Sequence, residues 1–132
     1  MRHDMAVLAT NHLKRAQEDL QSAESKITDG CYKIAINHSC YAIFFSLLAV
    51  NTLDGFEEVE QTALLTHFNR YFVHTGVFGA EMYKMIDSVY NVRDKCDNDD
   101  FYISTRGEAE EQLAKAQKFV ETVKIYIKRI SI

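Results

Sequence analysis

The sequence predicts an all-α fold, an up-and-down four-helix bundle with an additional short helix, and three observations predict it. No proline occurs in the 132 residues, the five glycines fall where the hydrophobic pattern breaks, and the segments between them repeat apolar residues every three or four positions. Proline would remove a helical amide and clash with the preceding turn, so its absence leaves long helices unobstructed. The three-to-four spacing is that of a helix with one buried face, and no segment shows the strict alternation of a half-buried strand.

In the first segment Met5, Leu8, Ala9, Leu13, Ala16, Leu20, Ala23 and Ile27 form an apolar stripe that stops at Asp29-Gly30, a helix C-terminal signature. From Cys31 to about Val50 the second half is apolar on nearly every face. A surface helix does not tolerate that, so the segment is predicted to be central or to meet a partner. A shorter helix is predicted over Glu57 to Val73, ending before Thr75-Gly76, and another from Ala80 to Asp97 with Met82, Met85, Ile86, Val89 and Cys96 inward. Asp97-Asn98-Asp99-Asp100 reads as a loop, and Thr105-Arg106-Gly107-Glu108 matches a capping box that starts the last helix. Ala109, Leu113, Ala116, Val120, Val123, Ile127 and Ile130 then carry a stripe to the end of the chain.

Residues 1–132 are expected to form one domain, a length that buries roughly two-thirds of the unfolded chain's surface. Hydrophobic residues at 47% and charged residues at 26% place it among globular chains rather than disordered ones. Fifteen basic and 19 acidic residues give a net charge of −4, which excludes a global positive field for nucleic acid and leaves only local contacts. Three cysteines without C-x-x-C spacing fit a reducing compartment. The apolar run Cys40 to Val50 is shorter than the roughly 20 residues of a membrane span, and Met1-Arg2-His3-Asp4 leads into no signal core, so a cytoplasmic protein without a membrane role is expected.

Helical bundles often carry di-metal sites built on Glu-x-x-His, but Ala9, Ala35, Leu64 and Tyr71 stand three residues before His12, His38, His67 and His74. H-E-x-x-H, a phosphate loop and G-x-G-x-x-G are also absent, and Gly76-x-x-Gly79 is too short to mean a phosphate cradle. No metal or cofactor is expected. His67 and His74 are about 10 Å apart on a helix, too far for one ion, and are expected to face solvent or a partner. Tyr83 and Tyr90 read as packing or interface residues.

Several blocks fall in an order that resembles the HEPN family: Arg15-Ala16-x-x-Asp19-Leu20, Ala35-Ile36-Asn37 with Tyr41-Ala42-Ile43-Phe44, and Phe72-Val73-x-Thr75-Gly76. Val92-Arg93, Asp97, Phe101, Glu108-Ala109-Glu110, Phe119-Val120-Glu121 and Tyr126-Ile127 follow, so the likeness spans residues 12 to 130. The resemblance implies a bundle that dimerises side by side, is often encoded with a minimal nucleotidyltransferase as a toxin and antitoxin pair, and acts on RNA. Active relatives cut RNA without metal, using an Arg, a polar residue, and a His with four to six residues between it and the Arg. Here Arg93 and Asp94 match the start, but the histidine positions hold Asn98, Asp99 and Asp100, and no histidine follows His74. Many relatives carry Arg at the position of His38 and His at that of Phe45. The resemblance also points to Asn37, Tyr41, Asp97 and Asn98 as binding residues.

Attack by a ribose 2′-hydroxyl needs a base for its proton and an acid for the leaving oxygen, and asparagine serves as neither. The favoured reading is a dimerising HEPN module, catalytically impaired, that binds a minimal nucleotidyltransferase and a nucleotide or RNA. The alternative is a metal-independent endoribonuclease toxin using Arg93 with His38. A third is a structural subunit of a larger complex. The bland readings are an intrahelical Arg93–Asp97 ion pair and a hydrogen-bonded interior His38.

Overall fold

The computed structural model describes residues 3–99 and 101–130, and the side chains of residues 4–99 and 101–130. Five α-helices follow in order: α1 (His3–Thr28), α2 (Tyr32–Leu53), α3 (Gln61–Phe68), α4 (Ala80–Asn98) and α5 (Arg106–Ile130), with a π-helical turn, Asn69–Val73, continuing α3. No strand occurs among the described residues.

The boundaries have local causes. Gly30 and Gly55 adopt φ of 80°, a left-handed conformation that glycine reaches without a Cβ clash. Each closes its helix in the same way: Cys31 donates to the Lys26 carbonyl at 2.8 Å and Phe56 to the Asn51 carbonyl at 2.9 Å, the six-to-one bond of a Schellman end. The third helix starts later than the Glu57 expected, because the Glu60 carboxylate caps it by accepting from the Thr62 and Ala63 amides at 3.1 and 2.9 Å. The acidic segment is only partly a loop. Asp97 and Asn98 complete the last turn of α4, and Asp100 lies outside the described residues. Thr105 Oγ1 accepts from the Glu108 amide at 3.1 Å, half of the expected capping box; the Glu108 carboxylate instead takes the Tyr102 hydroxyl.

α2 is the central element and packs against α1, α3, α4 and α5. It contributes to both apolar clusters. The larger gathers Phe68, Phe72, Phe78 and Phe119, with ring centroids 5.5 to 5.9 Å apart, against Ile43, Leu47, Met82, Ile86 and Val123. The smaller joins Ala23, Ile27, Ala35, Ile36, Cys96, Ala109 and Leu113. α2 is long and apolar enough to cross a membrane, yet 67% of its most apolar window is buried inside the bundle.

The α1–α2 contact is the most extensive between helices. His12 stands beside Phe45 and Asp19 beside His38, which fixes an antiparallel register. In that register Ala9, Ala16 and Ala23 fall opposite Ala49, Ala42 and Ala35, and all six are fully buried. Alanines repeating every seven residues on both helices lay a methyl-sized seam along the contact, so the two backbones approach closely and a larger side chain has no room. Ala16→Leu and Ala42→Leu are each expected to lower the unfolding free energy by about 1–3 kcal/mol, whereas Ala114→Leu on the exposed face of α5 should stay within about 0.5 kcal/mol of the parent. Urea denaturation followed by circular dichroism measures both.

Candidate functional site

With α1, α3, α4 and α5 against its other faces, α2 leaves one stripe open: Ile34, His38, Tyr41 and Phe45 at three- and four-residue steps. Ile34 and Tyr41 are 46% and 42% exposed, a large apolar display on an otherwise buried helix. α1 forms one wall of the stripe and α4 the other, through Asp19 on His38 and Arg93 on Tyr41.

On the α4 side, the Arg93 guanidinium lies over the Tyr41 ring at 5.0 Å. Its Nη1 donates to Cys40 Sγ at 3.5 Å, and its Nε sits 3.5 Å from Asp97 Oδ2 one turn along the same helix. Nε is buried without a hydrogen-bond partner, so the Asp97 contact is an ion pair only. Burial penalises the guanidinium charge, but Cys40, Tyr41 and Asp97 outweigh it and raise the pKa. The Cys40 thiol is pushed up to about 11 by burial, only partly offset by Arg93. Burial likewise raises the Tyr90 phenol, whose hydroxyl has no partner.

On the α1 side, His38 Nδ1 is 3.0 Å from Asp19 Oδ1, with the imidazole 29% exposed. This carboxylate orients the ring and leaves Nε2 as its other polar edge. Phe45, standing where many relatives carry histidine, is covered by the Arg15 guanidinium at 4.7 Å and by His12.

The seven residues singled out from the sequence thus separate. Arg93, Tyr41 and Asp97 meet in one cluster; His38 stands one turn from Tyr41 but is bound to α1; and Asn37, one turn before Tyr41, buries an unpartnered Oδ1. Asp94 and Asn98 are exposed on α4. Asp19 and Cys40, which hold His38 and Arg93, carry no spacing signal, because both contacts join separate helices. Of the two expectations for His67, solvent or a partner, the first does not hold. Its side chain is 10% exposed, hydrogen-bonded to Asp54 at 2.8 Å and stacked on Phe56, because the turn after Gly55 folds back over α3. Among the described residues no group of three or more His, Cys, Asp or Glu side chains is placed to hold a metal ion.

A central apolar helix, walled by two neighbours and presenting Arg and His at its open stripe, defines a helical module whose polar residues converge on one face. A HEPN domain model matches residues 9–126, and the chain belongs to the HEPN domain family. It is 29% identical over 118 residues, 87% of this chain and 85% of the relative, to a Methanocaldococcus jannaschii protein named as a "putative toxin". A UPF0332 protein of Thermotoga maritima is 24% identical over 110 residues, 83% of each chain.

The buried thiol and phenol hold their protons more tightly in the folded chain than in the unfolded one. The thiol's contribution to stability is therefore complete below its ordinary value of 9.0 and is lost as the pH rises from there through about 11, and the phenol's begins to be lost only above its own ordinary value of 10.0. Denaturant titrations at stepped alkaline pH should show this fall, and Cys40→Ala should make it shallower.

Proposed function

We propose that this HEPN domain is a toxin-type module that works as a dimer across the open stripe of α2 and acts by binding, to a minimal nucleotidyltransferase partner and to nucleotide or RNA, with its ribonuclease chemistry impaired. One observation carries the reading. Arg93 keeps the first half of the family's cutting motif, yet its guanidinium is occupied by Cys40, Tyr41 and Asp97, and Asn98 and Asp99 follow where an acid–base histidine would stand. The protein named as a toxin in Methanocaldococcus jannaschii supports the toxin side of a pair. The dimer face is supported by Ile34 and Tyr41, whose apolar surface flanks the polar cluster and stays nearly half exposed among the described residues.

A specific contact favours a second reading, an active metal-independent endoribonuclease. The Asp19–His38 pair has the form of an oriented general base, one helical turn from the Tyr41 ring under Arg93. In this reading His38 Nε2 accepts the 2′-hydroxyl proton, the 2′-oxygen bonds to the adjacent phosphorus as the bond from phosphorus to the 5′-oxygen breaks, a water molecule protonates that leaving oxygen, and Arg93 stabilises the charge on the phosphoryl oxygens.

Purified protein incubated in EDTA with mixed tRNA and mRNA, beside folded Arg93→Ala and His38→Ala variants, separates the two. Intact RNA with all three is expected; cleavage by the parent that both variants lose establishes the second reading instead. Light scattering tests the dimer face: the parent should run as a dimer, and Ile34→Glu or Tyr41→Glu should run as monomers with unchanged helicity.

A further inference from the structure

Away from the α2 stripe, α4 packs on the π-helical turn Asn69–Val73 but, among the described residues, not on α3 itself, so the two helices diverge. The gap between them is a cavity of about 430 Å³, within the size range of small-ligand sites. α3 buries Leu64 and Phe68 and turns another face, Gln61, Thr62, Leu65 and Thr66, toward the cavity. Tyr83, half-buried on α4, stands on the other side.

The π turn completes the enclosure. In an ordinary α-helix residues five apart stand about 140° apart around the axis, so Asn69 and His74 would point in different directions. Here the His74 amide donates to the Asn69 carbonyl at 2.9 Å, the wide bond of a π turn, and the two side chains meet, Asn69 Nδ2 lying 3.4 Å from His74 Nε2. The same turn sets Arg70 on the cavity, exposed and without an ion pair among the described residues. Wide turns of this kind interrupt α-helices mostly at functional sites. Among the described residues no carboxylate lines the cavity, and that of Glu60, next to Gln61, is taken by the Thr62 and Ala63 amides.

We propose that this cavity binds a small hydroxylated oxyanion: its anionic group pairs with Arg70 and accepts from the His74 ring, while its hydroxyls bond the Gln61 and Asn69 amides and the Tyr83 hydroxyl. The guanidinium fork fits a phosphate and a carboxylate alike. Side-chain amides and hydroxyls both donate and accept, as an alcohol does, and Leu65 is the one aliphatic wall, so a polar carbon chain fits and a hydrocarbon does not. A sugar phosphate and a sugar acid share this chemistry. No residue of the site belongs to the α2 stripe, so its occupation is independent of the dimer face and of whether Arg93 and His38 bind or cut RNA.

Calorimetric titration of the full chain with glucose 6-phosphate and with gluconate is the test, beside glucose, inorganic phosphate and AMP. At least one of the first two is expected to bind at least about tenfold more tightly than glucose or inorganic phosphate, and the tighter of them identifies a phosphate ester or a carboxylate as the source of the anion. Arg70→Ala and His74→Ala should each weaken that binding about tenfold with unchanged melting temperatures. Tyr71→Ala, which lines a different cavity across the π turn, should bind as the parent does. Absence of binding by both compounds, affinities that neither Arg70→Ala nor His74→Ala alters, or tighter binding of AMP than of either overturns the proposal.

Discussion

The alanine seam between α1 and α2 is the constraint on which the rest of this molecule depends. Ala9, Ala16 and Ala23 facing Ala49, Ala42 and Ala35 place only methyl groups between the two helices at those three levels. A close, flat contact of this kind fixes register along its whole length, because a shift of one residue would drive a larger neighbour into the seam. Register in turn sets Asp19 against His38 and His12 against Phe45, so the polar contacts of the candidate site follow from the packing of its smallest residues.

With α1 seated so closely, α2 becomes the axis of the bundle. Its remaining faces meet the aromatic cluster around Phe68, the α5 stripe and α4, and one line of side chains is left over. That line is unusual for a free monomer surface, since it carries the exposed Ile34 and Tyr41 beside a buried unpartnered Asn37 oxygen and a buried Arg93 Nε. Groups of that kind are costly unless something supplies a partner or the surroundings compensate. The Cys40 thiol and Tyr41 ring are such compensation for Arg93: polarizable and aromatic neighbours soften the loss of water around a guanidinium, with Asp97 supplying the countercharge.

Helix existence was legible because it is a local property. The stripes of α1 and α5, the Gly30 and Gly55 ends, and the apolar excess of α2 are all written in short-range spacing. What failed locally failed for identifiable reasons. The start of α3 moved to Gln61 because a glutamate served as the cap where the reading followed hydrophobic period alone. The capping box before α5 formed only halfway because Tyr102, from the preceding loop, competes for the Glu108 carboxylate. The π turn left no trace in composition, and the alanine heptad of α2 was present in the sequence but masked by the larger apolar residues around it.

By itself the sequence determined the fold class, the number and order of long helices, the absence of a motif histidine after Arg93, and the likeness to HEPN domains, since each depends on residue type and on spacing along one chain. Only the tertiary structure decided which side chains share a site. It set Asp19 on His38, Cys40 and Tyr41 around Arg93, and Asp54 with Phe56 and Tyr71 around His67. Most of these join segments whose separation in the chain carries no period, so their meeting is fixed by helix register and turn geometry, which spacing along the sequence does not encode.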